Sequence, residues 1–244
     1  MKSMLRSCST KWLLAVTTLV MVGRLQAADP VNVVSPATFK DKEGEGDSAF
    51  FSGGPGTDVR VQQFYQSANF VGFLPNGGYI KEISFRTDGK AGTGRAAVLP
   101  FVEIHLGYAG GFNQISREYA KNQGTGYSLV YSGSLSIPAM TRGQYDIKVV
   151  LQTPFLYNPN AGNLMLDYVN FGSGGDEVGL VDRTDTSVET AFMAGSRLSS
   201  QANGLIDGGL ITRFTIDPVP EPGSAALLVF GGVVLAVVRR KNKP

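Results

Sequence analysis

Short runs in which apolar and polar positions alternate fill the middle of the chain, separated by glycine-rich turns. In FVEIHLGY (101–108) Val102, Ile104 and Leu106 point one way and Glu103 and His105 the other, the period of a half-buried strand. The same reading predicts strands over VRVQQFY (59–65), YIKEISFR (79–86), SLVYSGSLSI (128–137), QYDIKVVLQT (144–153), NLMLDYVNF (163–171) and LITRFTI (210–216). Pro138, Pro154 and Pro159 fall at predicted strand ends or turns, where a missing N–H does no harm. FNQISREYAKN (112–122) fits either a helical turn or two, or a polar strand. Many short strands with polar outer faces and no repeat of fixed period predict an all-β fold. The expected architecture is an antiparallel β-sandwich, jelly-roll-like, over residues 28–217, with its glycine-rich loops gathered at the ends.

The two ends of the chain break this pattern. At the N-terminus Lys2, Arg6 and Lys11 precede or open an apolar run, Trp12 to Val22, and Leu25-Gln26-Ala27 follows. That order predicts a secretory signal peptide over 1–27, cut between Ala27 and Ala28. An uncleaved anchor is the alternative, but a hydrocarbon core of about 30 Å needs roughly 20 apolar residues. The single cysteine, Cys8, lies before the apolar run, so cleavage leaves a body without thiols. Disulfides and structural zinc on thiolates are then excluded, and burial alone must hold the body together.

At the C-terminus, residues 218–244, an uncharged run Ala225 to Val238 is followed by Arg239, Arg240, Lys241 and Lys243. Positive charge stays on the cytoplasmic side, so this order puts the body outside. As a helix of about 224–238, the run is short: fourteen residues reach about 21 Å. Pro218, Pro220 and Pro222 are expected to hold the preceding segment extended and unpaired. Val219-Pro220-Glu221-Pro222, the short apolar helix and the basic cluster resemble the PEP-CTERM sorting signal of Gram-negative bacteria. That resemblance implies handling by signal peptidase and then by an exosortase, an integral-membrane cysteine transpeptidase. It also implies transient residence in the inner membrane, cleavage near the Pro-Glu-Pro motif, and a final place at the cell surface or in a biofilm matrix with exopolysaccharide. A permanently anchored periplasmic protein is the alternative. RVQQFYQSANF near 60, SLVYSGSLSIP near 130 and TPFLYNPNAGNLMLDYVNF (153–171) are similar, more loosely, to the β-sandwich passengers of such proteins. In the last stretch Tyr157 to Gly162 should turn, with Leu164, Leu166 and Tyr168 facing the core.

Dividing the charge changes its meaning. Fourteen Lys and Arg against nineteen Asp and Glu leave the body at −5, although the whole chain is +2. An acidic body argues against nucleic-acid binding, which needs clustered cations. No serine sits in a Gly-x-Ser-x-Gly elbow to use the lone histidine, so His105 is expected to be a solvated strand residue beside Glu103. GKAGTGR (89–95) lacks the ending that a P-loop requires. The expectation is a non-enzymatic protein without a resident cofactor. A hydrolase acting on polysaccharide would need only two carboxylates, and Glu103 with Asp146 or Asp167 could share a sheet face. DKEGEGD (41–47) and DEVGLVDRTD (176–185) set hard oxygen donors in flexible loops, making Asp41, Glu43, Glu45 and Asp47 weak calcium candidates outside the EF-hand register. Tyr65, Tyr79, Tyr108, Tyr119, Tyr127 and Tyr157 lie near turns and offer rings for carbohydrate contact.

Overall fold

The computed structural model describes residues 29–48, 58–89, 95–109, 115–172, 181–185 and 190–220. Among them thirteen strands run in the order β1 (Val31–Ser35), β2 (Gly46–Ser48), β3 (Val59–Tyr65), β4 (Gly78–Phe85), β5 (Ala97–Tyr108), β6 (Ser128–Ile137) and β7 (Ile147–Tyr157). They continue with β8 (Leu164–Asn170), β9 (Val181–Thr184), β10 (Thr190–Gly195), β11 (Gly204–Asp207), β12 (Gly209–Leu210) and β13 (Thr212–Pro218). The described α-helix is one turn, α1 (Ala68–Val71). The fold is all-β, as the alternating pattern predicts.

Three sheets result: β1-β13-β4-β7, β11-β10-β3-β8-β5-β6, and a small β12-β9-β2. Every strand pairing among the described residues is antiparallel. The two large sheets share one hydrophobic cluster. It takes Val33, Ile83, Val149 and Phe214 from the four-stranded sheet and Val61, Ile104, Leu106, Leu164, Leu166 and Tyr168 from the six-stranded one. Alternation explains the sorting: in β5 Val102, Ile104 and Leu106 are fully buried, while Glu103 and His105 face the other side. Aromatic edges stitch the sheets together. Tyr65 meets Phe214 edge-on at 5.0 Å, and Phe70 meets both Tyr157 at 5.1 Å and Phe214 at 5.3 Å. Each such contact adds about 1 kcal/mol beyond the area it buries. The Gln63 amide works as a strand surrogate, donating to Leu210 O at 2.8 Å and accepting from Leu210 N at 3.0 Å.

Pro154 is a correction. It lies inside β7, which runs on to Tyr157 rather than stopping at 153. β7 is an edge strand, and its register with β4 jumps between Ile80–Phe155 and Glu82–Val150. The proline therefore sits in a bulged stretch of an edge, where no ladder donor is required. The segment 112–122 resolves in its described part into a 3-10 turn, Tyr119–Asn122.

Register fixes which connections share an end. Val31 pairs with Ile216, and Gly78 pairs with both Pro218 and Tyr157, so residues 31, 78, 157 and 218 lie at one end, the exit end. Ser35 pairs with Thr212, and Phe85 pairs with Thr212 and Ile147, marking the opposite, distal end.

Candidate functional site

Three places collect the residues that the sequence singles out: the chain exits, an acidic cluster at the distal end, and the outer face of the six-stranded sheet.

At the exit end β13 lies between β1 and β4 and is hydrogen-bonded on both sides. Pro218 is its last residue, paired with Gly78, and Val219 N donates to Gly77 O at 2.9 Å. Gly77 is required here. Its φ is +83°, and a Cβ would stand 2.8 Å from Tyr157 O. The expectation that Pro218 cannot pair is thus overturned: a terminal strand position tolerates its missing donor. Of the motif expected to direct sorting, Val219 and Pro220 are described, Val219 bonded to the folded edge, whereas Glu221 and Pro222 lie outside the described residues. So do Ala27, Ala28, Arg239, Arg240, Lys241, Lys243 and the apolar run. Among the described residues no helix is long and apolar enough to cross a membrane.

At the distal end the two acidic stretches meet. β2 pairs with β9, placing Gly46 opposite Arg183 and Asp47 opposite Asp182. Glu43, Asp88 and Asp182 each offer an oxygen within 4.8 Å of the others. Asp182 is almost wholly buried and takes Arg86 Nε at 2.7 Å and Gly44 N at 3.0 Å. Arg86, also buried, donates on to Phe39 O at 3.0 Å and Lys42 O at 2.7 Å, so one guanidinium holds the whole 39–44 loop. Burial pushes the Asp182 carboxyl above its ordinary value, and Arg86 offsets part of that push. Glu43 Oε1 accepts from Gly89 N at 2.6 Å. Three hard oxygens at this spacing suit a divalent cation such as calcium, but Arg86 competes for the same Asp182 carboxylate.

Of the four calcium candidates only Glu43 joins this group. Glu45 instead accepts from Thr184 Oγ1 and Asp185 N, both at 3.1 Å, while Asp41 and Asp47 are exposed. Asp88 and Asp182 complete the cluster. Asp182 lies within the second acidic stretch, and Asp88 has a faint signal: it comes two residues after the predicted strand 79–86, before a glycine.

On the outer face of the six-stranded sheet, Gln62, Asp167 and His105 form a row across β3, β8 and β5. The segment 115–127 folds over them, and Phe64, Tyr119, Met165 and Ala202 make a second small core beneath it. Asp167 is fully buried and accepts four bonds: Arg60 Nε at 3.0 Å, Arg60 Nη2 at 2.6 Å, Gln62 Nε2 at 2.8 Å and Tyr127 OH at 3.0 Å. Asn122 Nδ2 donates to Gln62 Oε1 at 3.0 Å, and Gln62 Nε2 also donates to Tyr119 O at 3.1 Å. The Arg60 guanidinium lies over the Tyr119 ring at 4.5 Å. Against expectation, His105 is not a solvated strand residue. It is half-buried and stacked on Tyr127, with centroids 4.9 Å apart and planes 4° from parallel. Burial lowers its pKa, against the opposing pull of Asp167 and Glu103.

No family model matches this chain, and no curated protein matches it.

The carboxylate pair weighed for a hydrolase shares a face but not a groove. Glu103 and Asp167 stand on neighbouring strands, diagonal across the ladder, yet all the hydrogen bonds of Asp167 go to protein groups under a covering loop. Asp146 lies in the β6–β7 turn, taking Thr141 N at 2.5 Å. Of the six tyrosines, Tyr65, Tyr119 and Tyr157 are at most 1% exposed and belong to the cores. Tyr108 and Tyr127 are half-buried, and Tyr79 is the exposed one. A shallow depression lined by Ala97, Val98, Ser136, Ile137 and Pro138 holds no titratable group.

Proposed function

We infer that this chain is an exported, non-enzymatic surface or matrix protein whose body is a jelly roll and whose tail is handed to an exosortase-type transpeptidase. One observation carries the reading: β13 stays paired with β4 as far as Pro218, past one bulge at Thr215/Ile216, Val219 N still bonds Gly77 O, and the motif's Glu221 follows two residues later. The enzyme then meets an extended Pro-rich segment directly after a rigid body, and the body cannot yield slack by unravelling from that end. β1 begins beside the end of β13, so both addressing segments leave from the same end. That arrangement turns the acidic distal loops toward the matrix. The orders β1-β13-β4-β7 and β3-β8-β5-β6 support eight strands wound as two Greek keys, with β10 and β11 added beyond β3. The burial of Asp167 under its four donors supports a role other than hydrolysis.

The test is intact mass spectrometry of the protein made in an exosortase-bearing Gram-negative host. The mature mass should lack Met1–Ala27 and everything beyond the motif, and Glu221→Ala should leave the tail in place. A parent protein that keeps Ala225 to Pro244 overturns sorting and leaves a stalked membrane protein.

A further inference from the structure

Nine large apolar side chains are exposed among the described residues, and they are not spread evenly. Val71 (43%), Phe73 (48%), Tyr79 (45%) and Leu156 (50%) all lie at the exit end. Tyr79 and Leu156 are partners across the β4–β7 ladder, one residue inward from Gly78 and Tyr157. Val71 and Phe73 belong to the connection from β3 to β4, which runs along the same end: Gly77 in that connection receives Val219 N, and Pro75 O receives Asn160 Nδ2. Nearby charge is subdued, because Asp217 is ion-paired with Lys81.

The sequence beyond Pro220 says what covers this end. Only four residues, Glu221 to Ser224, lie between Pro220 and Ala225, where the uncharged run begins, so five chain steps join the two. Even fully extended they span at most about 18 Å, so the exit end cannot stand far from whatever holds that run. We propose that, before the tail is cut, the exit end of the sandwich rests on the bilayer that holds the tail, with Phe73, Tyr79 and Leu156 entering the headgroup layer. The proposal rests on the reading of Ala225–Val238 as a membrane segment. Aromatic and aliphatic side chains at the rim of a folded body suit that layer, where an apolar ring can leave water while its polar edge stays wet. Docking also fixes orientation: the acidic cluster of Glu43, Asp88 and Asp182 then faces away from the anionic lipid surface.

The test uses the tail-bearing protein, exported in a host without exosortase and reconstituted in vesicles of phosphatidylethanolamine and phosphatidylglycerol. In a Cys8→Ser background, an environment-sensitive fluorophore is placed at Phe73→Cys, Leu156→Cys and, for the distal end, Lys42→Cys. Labels at 73 and 156 should emit to the blue of the label at 42 and be quenched severalfold more by nitroxides carried on the lipids. If the protein floats with the vesicles but all three labels are quenched alike by aqueous iodide, the body stands off on its stalk and docking is overturned. Shielding at 73 and 156 that vanishes on dilution of protein in the bilayer would assign the surface to a second copy instead, which also overturns it. Failure to float at all would sink the membrane reading of the tail, a result distinct from the other two.

Discussion

Replacing Asp167 with alanine tests the physical account of the outer face most sharply. The carboxylate is 0% exposed and gathers Arg60, Gln62 and Tyr127, so its removal leaves three donors facing a void. Deleting one partner of a buried ion pair costs about 3–5 kcal/mol. The Arg60 side chain retains 20% exposure, so water recovers part of its charge and the lower bound applies, about 3 kcal/mol. Gln62 keeps Tyr119 O, but Tyr127 OH loses its acceptor, adding about 1 kcal/mol. A body of this size loses about 2–4 °C of Tm per kcal/mol, so a fall of about 10 °C is expected in a circular-dichroism melt of the purified protein. Asp167→Asn keeps the shape and loses the charge, and should fall about half as far. Hydrogen exchange gives a second reading: amides of 115–127 should exchange faster in Asp167→Ala while those of β13 hold. A variant melting within about 2 °C of the parent would refute the idea that this carboxylate clamps the loop.

Two further substitutions probe other parts of the fold. Gly44→Ala puts a Cβ 2.0 Å from Asp182 Oδ1 and 2.4 Å from Arg183 O, so loop 39–44 must shift and the Arg86–Asp182 pair with it. A loss of about 2–3 kcal/mol is expected by chemical denaturation, whereas Gly72→Ala, with open space around it and helical dihedrals, should be neutral or slightly stabilising. His105 binds its proton less readily in the folded state than its ordinary value of 6.5 implies, so stability present above that pH declines as the pH falls below it. His105→Phe keeps a ring on Tyr127 without the titration, and its Tm should change less than the parent's between pH 7.5 and 5.5; equal slopes would refute the assignment.

The strands were legible where alternation and local turns suffice. β6 matches the run 128–137 to the residue, and the inward row of Leu164, Leu166 and Tyr168 follows from period two alone. Pairing across long sequence separations is what the pattern could not carry. β2, β9 and β12 are two to four residues each, too short to show a period, and they exist because Gly46 and Gly209 find partners in β9 far along the chain. The same distance hid the acidic cluster, whose Gly44–Asp182 bond spans 138 residues. His105 departs from its expected solvated state for a related reason: its strand face is polar, but segment 115–127 returns to cover it. Local pattern reports which face a residue takes, and only the tertiary fold decides whether that face stays wet.

The central seat of β13 has a consequence for when this protein becomes a folded object. Until residues 212–218 arrive, β1 and β4 flank an empty lane and cannot pair with each other in the register they finally hold. A chain crossing a membrane N-terminus first therefore reaches the far side with its four-stranded sheet incomplete until nearly the last of the body has emerged. Closure of that lane and the appearance of the Pro-Glu-Pro segment fall together in time. Truncated bodies lack the closing strand and the Pro-Glu-Pro segment alike, so under the proposed sorting role the layout would couple completeness of the polypeptide to its onward transport.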